Sequence, residues 1–362
     1  MILESIDILD GAGLCRAQTV TIDGGRISAI EPSATEGPLR AIIAPSLVDL
    51  QVNGGGGVML NEAQNTSDIN QIRAAHARLG SGHILPKLIS DSRETTARVI
   101  ELIAQTEGLG LHLEGPHLAI PGAHDPTHLR PLESCDIAFY AEAAETLPHL
   151  MITLAPEQTR PGQIAALAEA GILVSLGHTD CSAGQAREAF DEGARMVTHL
   201  FNAMSGLHHR APGLVGATLD PDCETPFGLI ADGHHVADAA LRITLAAGRE
   251  RLVVVSDAMA LTGSEADQFL FQGRQIQSDG TRLSLPDGTL AGARASLLDG
   301  LRHLARIANM PLADLLPTGF DHPWRLLGRG TRRIEVGAPT DLLRLNPDNS
   351  VDTLIDGQWR SC

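Results

Sequence analysis

Between Leu47 and Ser256 the chain repeats one unit: a short apolar run, a polar or glycine-rich loop, then an amphipathic stretch. The runs read LVDLQV (47–52), HILPKLI (83–89), GLHLE (110–114), MITLA (151–155), ILVSL (172–176), RMVTH (195–199), FGLIA (227–231) and RLVVVS (251–256). Runs this short and this apolar suit strands covered on both faces. The stretches TSDINQIRAAHARLG, SRETTARVIELIAQTEG, PGQIAALAEAG, SAGQAREAFDEGA and ADAALRITLAAG have helical spacing, and several close on a glycine where a helix would end. Eight such strands alternating with helices predict an α/β fold, a (β/α)8 TIM barrel, within residues 46–330. The alternative is a doubly wound open sheet, but no G-x-G-x-x-G follows the first run, which speaks against a dinucleotide fold. Residues 1–45 and 331–362 instead show β-type alternation punctuated by D-G and G-G turns. They are expected to form one small β-sandwich domain that the barrel interrupts.

Catalytic residues of such barrels gather at the C-terminal ends of the strands. At those ends stand Glu114 (HLEGPH), His178 (SLGHTD), His199 (THLFNAM), His235 (ADGHH) and Asp257 (VSDAM). Taken singly, Glu114 reads as a loop cap and each histidine as a satisfied core residue. Together, Glu114, His178 and His199 on strands three, five and six make a carboxylate-plus-two-imidazole set of the kind a catalytic divalent ion accepts, with a position left open. Asp257 ends the strongly apolar eighth run, where an ionised carboxylate needs a partner. It suits a base that takes a proton from an activated water and returns it to a leaving group. The loop GAHDP brings His124 within reach of the mouth, and Arg210 in HHR (208–210) offers a planar fork for phosphate or carboxylate.

Composition narrows the partners. A net charge of −17 excludes nucleic acid or an anionic membrane as a general partner but leaves room for a small phosphorylated substrate. The five cysteines, Cys15, Cys135, Cys181, Cys223 and Cys362, are odd in number and carry no C-x-x-C, which points to a reducing compartment rather than a disulfide framework. The acidic start MILESIDILD lacks the basic flank of a secretory signal, so a cytoplasmic protein is expected.

LVDLQVNGGGG, LPKLIS, HLEGPHL, GAHDP, LAPE, GHTD, THLFNAM, RAPGLVGA, GLIADGHHV, VSDAM and GTLAG occur in this order along most of the chain. In this the sequence closely resembles the N-acetylglucosamine-6-phosphate deacetylases of the amidohydrolase superfamily. The resemblance implies hydrolysis of the acetamide of N-acetylglucosamine 6-phosphate, giving glucosamine 6-phosphate and acetate. It implies Glu114, His178 and His199 as metal ligands, Asp257 as acid/base and His124 as the donor that polarises the carbonyl. His235, with Asn202 and Ala203, is implied to hold the sugar phosphate. Arg210 is implied to reach the neighbouring subunit's substrate, which makes a homodimer the expected assembly. One divalent ion per subunit is expected: zinc first, with iron, manganese or cobalt as substitutes.

Gln51 and Asn53 stand where many barrel hydrolases carry the His-x-His that anchors a second metal. Gln51 therefore marks a vacated second-metal position and is expected to make a hydrogen bond across the barrel. Lys87 departs from the family's small hydroxyl residue, and its ammonium is expected to reach solvent at the barrel rim. Ala211 replaces a common acid. Rival readings are a relative acting on N-acetylgalactosamine 6-phosphate or another N-acyl amino sugar, one acting on a cyclic amide, or a barrel that only binds.

Overall fold

The computed structural model describes residues 1–33, 40–280, 282–286, 288, 290–355 and 357–361. Each of the eight apolar runs overlaps a strand: Val48–Val52, His83–Ile89, Leu111–Glu114, Leu150–Leu154, Leu173–Leu176, Met196–Val197, Phe227–Ile230 and Leu252–Val255. They lie in sequence order in one parallel sheet. The sheet closes where Val52 bridges Ala258 and where Ser256 N–H donates to the Asp49 carboxylate at 3.2 Å. A parallel crossover needs a helix, and the capping residues supply the starts. Asn65, Ser182 and Ser296 each form a reciprocal capping box, and Ser92 caps the helix Arg93–Ala104.

Period-two alternation divides every strand between two environments. Ile84, Leu88, Leu111, Leu113, Ile152, Leu154, Val174, Val197, Leu229 and Val254 pack in the cluster shared with the helices. Leu50, Leu85, Met151, Met196 and Val253 form a separate cluster that Trp324 and Leu327 join. This second cluster is an apolar floor inside the barrel. The residues two further along several strands form a polar layer: His112 Nε2 meets Thr153 Oγ1 at 2.7 Å, and Thr198 Oγ1 lies 2.6 Å from both Thr153 and Ser175.

The termini share one seven-stranded sheet, zipped together where Leu342–Leu345 runs antiparallel to Ile42–Pro45. Its own core holds Leu3, Ile8, Val20, Ile27, Ile43 and Leu354. Arg332 ties this sheet to the barrel, donating to the Ser46 carbonyl at 2.9 Å and pairing with Asp341. Cys15, Cys135, Cys181 and Cys223 are free thiols, while Cys362 lies outside the described residues.

One element is absent from the sequence reading. After the eighth strand, Gln268–Phe271, Arg274–Ser278, Arg282–Ser284 and Leu290–Ala293 build a four-stranded antiparallel sheet. Its strands are short, interrupted by polar residues and glycines, and mix exposed with buried positions, so they carry no run comparable to the barrel strands. Phe271, Ile276 and Leu283 anchor it on Met259 and Leu261. Its last strand docks beside the barrel mouth, where Ala293 N–H donates to the Asp257 carbonyl at 3.0 Å.

Candidate active site

A cleft of about 170 Å³ opens at the C-terminal end of the barrel. Glu114, His124, His178, His199, Asn202, Ala203, His235 and Asp257 all line it. His178, His199 and Asp257 each stand two residues past their strands in the left-handed region, at φ 50°, 26° and 55°. Non-glycine residues rarely adopt this conformation, and it persists where packing holds a functional side chain in place.

The two oxygens of Glu114 face different partners. Oε1 lies 2.9 Å from His199 Nε2 and 3.4 Å from His178 Nε2, and the two imidazole nitrogens are 3.2 Å apart. His178 Nδ1 donates to the Ile120 carbonyl at 2.8 Å, which leaves its Nε2 lone pair aimed at this point. A carboxylate oxygen and a bare imidazole nitrogen held this close call for a cation between them. Ligands about 2.0–2.1 Å from a tetrahedral ion stand roughly 3.3–3.4 Å apart. The three atoms fit that spacing, and their chemistry suits a catalytic divalent ion.

Glu114, His124 and His178 also offer ligand atoms within 4.8 Å of one another. His124, however, accepts the Ser90 backbone N–H on Nδ1 at 3.2 Å, with Ser90 Oγ at 2.8 Å from the same atom. Its proton therefore sits on Nε2, which donates to Glu114 Oε2 at 3.2 Å. A nitrogen carrying a proton is a donor, not a ligand, so His199 completes the metal set better than His124 does. Burial lowers His124 to about 4, which keeps the ring neutral at pH 7.

Asp257 accepts Asn53 Nδ2 at 2.9 Å and Lys87 Nζ at 2.5 Å, both on Oδ1. Among the described residues no hydrogen bond falls on Oδ2, so this is the oxygen free to exchange a proton. Burial pushes the Asp257 carboxyl up, but the adjacent ammonium more than offsets it and the group stays below its ordinary value. His235 Nδ1 donates to Asp232 Oδ2 at 2.7 Å. Burial lowers the imidazole, but the Asp232 carboxylate outweighs this and raises it, favouring a cation suited to an anionic group.

Two expectations are corrected here. Lys87 does not snorkel to solvent: it is 1% exposed and its ammonium lies 2.8 Å from Glu114 Oε2. The alternation of its strand decides this, because Lys87 shares the inward line with Leu85 while Ile84 and Leu88 face the helices. Gln51 makes no hydrogen bond across the barrel, and neither Oε1 nor Nε2 finds a partner among the described residues. Its amide lies buried against Gly228, where an added Cβ would stand 2.8 Å from Nε2. Arg210 is exposed on the loop after Ala203 and does not line the cleft.

Sequence reasoning also passed over Asp232, Ser90 and the sheet formed after the eighth strand. That sheet holds both flanks of His124, with Gln272 Nε2 donating to the Ser90 carbonyl at 3.3 Å and Arg274 to the Ala123 carbonyl at 2.5 Å. Asp232 had a signal, lying three residues before His235 in ADGHH.

No protein-family model matches the chain. The chain is 36% identical to the N-acetylglucosamine-6-phosphate deacetylase of Danio rerio, over 88% of this chain and 85% of that protein. It is 33% identical to the N-acetylgalactosamine-6-phosphate deacetylase of Shewanella sp. ANA-3, over 85% of this chain and 80% of that one. The crystal structure of N-acetylglucosamine-6-phosphate deacetylase from Pasteurella multocida superposes with a TM-score of 0.90 at 28% identity, covering all of both chains. The chain belongs to the N-acetylglucosamine-6-phosphate deacetylase family, within the amidohydrolase superfamily. As a deacetylase of this family it retains every strand-end residue on which the resemblance rested. Of its departures, Lys87 is buried against Glu114 and Asp257, while Ala211 is exposed on the loop that carries Arg210. No helix among the described residues is long and apolar enough to cross a membrane.

Proposed function

We propose that the chain hydrolyses the acetamide of N-acetylglucosamine 6-phosphate, releasing acetate and glucosamine 6-phosphate in amino-sugar catabolism. The observation that carries this reading is the convergence of Glu114 Oε1, His178 Nε2 and His199 Nε2 on one point in the cleft that Asp257 also lines. Those three residues hold one divalent ion, zinc by the nature of the donors, with iron, manganese or cobalt as substitutes. When bound, the ion makes a water acidic near neutral pH and polarises a carbonyl oxygen.

The chain's own groups do the rest. Asp257 Oδ2 takes the proton of the attacking water as its oxygen bonds to the acetyl carbon. The same proton goes to the amine nitrogen as the C–N bond breaks. His124 Nε2–H donates to the developing oxyanion, an interaction that strengthens as charge builds. His235, Asn202 and Ala203 bind the phosphorylated sugar and orient the amide. Arg210 reaches the phosphate in a neighbouring subunit, so the active form is a homodimer; its exposure on a loop with Leu207, itself 60% exposed, supports this role. Residues 46–330 form the catalytic unit, residues 1–45 and 331–362 its supporting domain, and the enzyme works in the cytoplasm.

Acetate release tests the reading directly. N-acetylglucosamine 6-phosphate should be cleaved at least tenfold faster, by kcat/KM, than unphosphorylated N-acetylglucosamine. Equal rates would remove the phosphate from the reading. Because relatives named for N-acetylgalactosamine 6-phosphate are also 33% identical, that epimer is the necessary second substrate arm. A mixture of Arg210→Ala and Asp257→Asn chains should regain activity that neither has alone, since one of the two shared sites is then intact. No recovery, or a monomer in sedimentation, would sink the dimer.

A further inference from the structure

Glu114 presents its two oxygens to two different kinds of positive charge. Oε1 belongs to the histidine side, where a metal ion is proposed. Oε2 belongs to Lys87, whose Nζ lies 2.8 Å from it and 2.5 Å from Asp257 Oδ1. The lysine is 1% exposed, so the ammonium is held between two carboxylates at the base of the cleft and shielded from bulk solvent. Two buried carboxylates this near one point would repel each other unless a cation stood between them.

The surroundings of this point are an incomplete ligand shell. Asn53 donates to Asp257 Oδ1 through Nδ2 at 2.9 Å, which leaves its Oδ1 buried and without a partner among the described residues. Gln51 Oε1, two residues earlier, is buried and without a partner as well. Two carboxylate oxygens facing one point, with the Asn53 amide bonded to one of them, make the environment of a hard, oxygen-preferring cation.

We propose that the Lys87 ammonium takes the place of a second metal ion in this centre. A side chain thus supplies the charge between Glu114 Oε2 and Asp257 Oδ1, limits the site to one exchangeable ion, and holds Asp257 by Oδ1 so that Oδ2 meets the reacting atoms. This rests on the proposed metal reading of the Oε1 side. Lys87 is here a positioning residue and an internal cation.

The experiment is metal content by elemental analysis together with titration by Mn²⁺, on the full chain. The wild type should hold about one ion per chain even at saturating Mn²⁺. Lys87→Ser removes the charge and opens the space; it should rise to about two ions, the second bound through oxygens. Its thermal midpoint should keep climbing at Mn²⁺ concentrations where the wild type has levelled off. Lys87→Met removes the charge but fills the space and should stay near one ion.

Equal stoichiometry and superimposable Mn²⁺ curves for the wild type and Lys87→Ser overturn the inference and leave the metal reading standing. So does a second ion in the wild type, or a second ion taken up by Lys87→Met as readily as by Lys87→Ser. A wild type that binds no ion overturns the metal reading itself, and this inference with it. Folding of Lys87→Ser only in the presence of Mn²⁺ is the same uptake read as solubility. Insolubility of Lys87→Ser with and without Mn²⁺, beside a folded Lys87→Met, counts against the inference.

Discussion

The interior of this barrel is two rooms built by the same strands. In the lower one, Leu50, Leu85, Met151, Met196 and Val253 fill the space with apolar side chains that Trp324 and Leu327 close from below. Nearer the mouth on the second and third strands, Lys87 and Glu114 carry full charge while remaining almost wholly buried. The floor needs only volume and apolarity. The upper room needs every charge matched, and the pairing of Lys87 with Glu114 and Asp257 shows how tightly that condition is met. The difference teaches that the floor should tolerate change in function but not in stability, and the mouth the reverse.

The largest expected effect tests the mouth. Asp257→Asn should lower kcat by roughly 10²–10⁴-fold, the usual worth of a general acid–base group, while metal content stays at the wild-type level. Near-normal turnover with metal bound would refute the role of Asp257. The floor should answer with stability. Leu85→Ala should cost about 2–5 kcal/mol in urea unfolding through lost contacts and a residual cavity, with kcat of the folded fraction unchanged. A matching drop in kcat would mean the two rooms are not separable.

Acid sharpens the contrast, because several buried histidines lie outside the mouth. Burial lowers His76 and His117 to about 4 and His112 to about 3. An unfolded chain binds protons on these rings near pH 6.5 while the folded chain waits for lower pH, so stability falls as pH drops from about 6.5 towards 4. Asp49 works the other way. Burial raises it to about 6, so below that pH the folded chain gains a proton first and stability rises. Three histidines outweigh one carboxyl, and the unfolding midpoint should fall over this window. His76→Gln should flatten the slope, and an unchanged slope would show that His76 does not titrate as its burial implies. The smallest effect concerns Ser90, whose hydroxyl and backbone N–H both meet His124 Nδ1. Ser90→Ala keeps the N–H bond and loses only the hydroxyl, so kcat should drop by about tenfold, the low end for a group that orients another.

Most of the fold was legible because buried parallel strands announce themselves as apolar runs, and seven of the eight strands fall within the expected segments, the fourth starting one residue early at Leu150. The gathering of Glu114, His178 and His199 at the cleft was legible because they sit at strand ends, where such barrels place chemistry. Lys87 was misread for a physical reason. A lysine near the end of a strand suits a rim position, and only counting by twos from Leu85 puts it on the inward line, opposite charges not yet known to be near. The sheet of residues 268–293 escaped because half of it faces water and its sequence offers no sustained apolar run. Gln51 was expected to bond across the barrel because an unpaired buried amide is costly. Both atoms of that amide, like Asn53 Oδ1 beside it in sequence, lack a partner among the described residues.

The ammonium between Glu114 and Asp257 also bears on how the enzyme meets its environment. A metal ion must be drawn from a pool whose size depends on supply and on competing ligands. A lysine is delivered by the ribosome with every copy of the chain. If one of its two positive centres is written into the gene as proposed, the enzyme can lose at most the other to starvation or to a chelator. Refilling a single site should then restore it in one step, without the wrong-ion combinations open to a centre that must collect two.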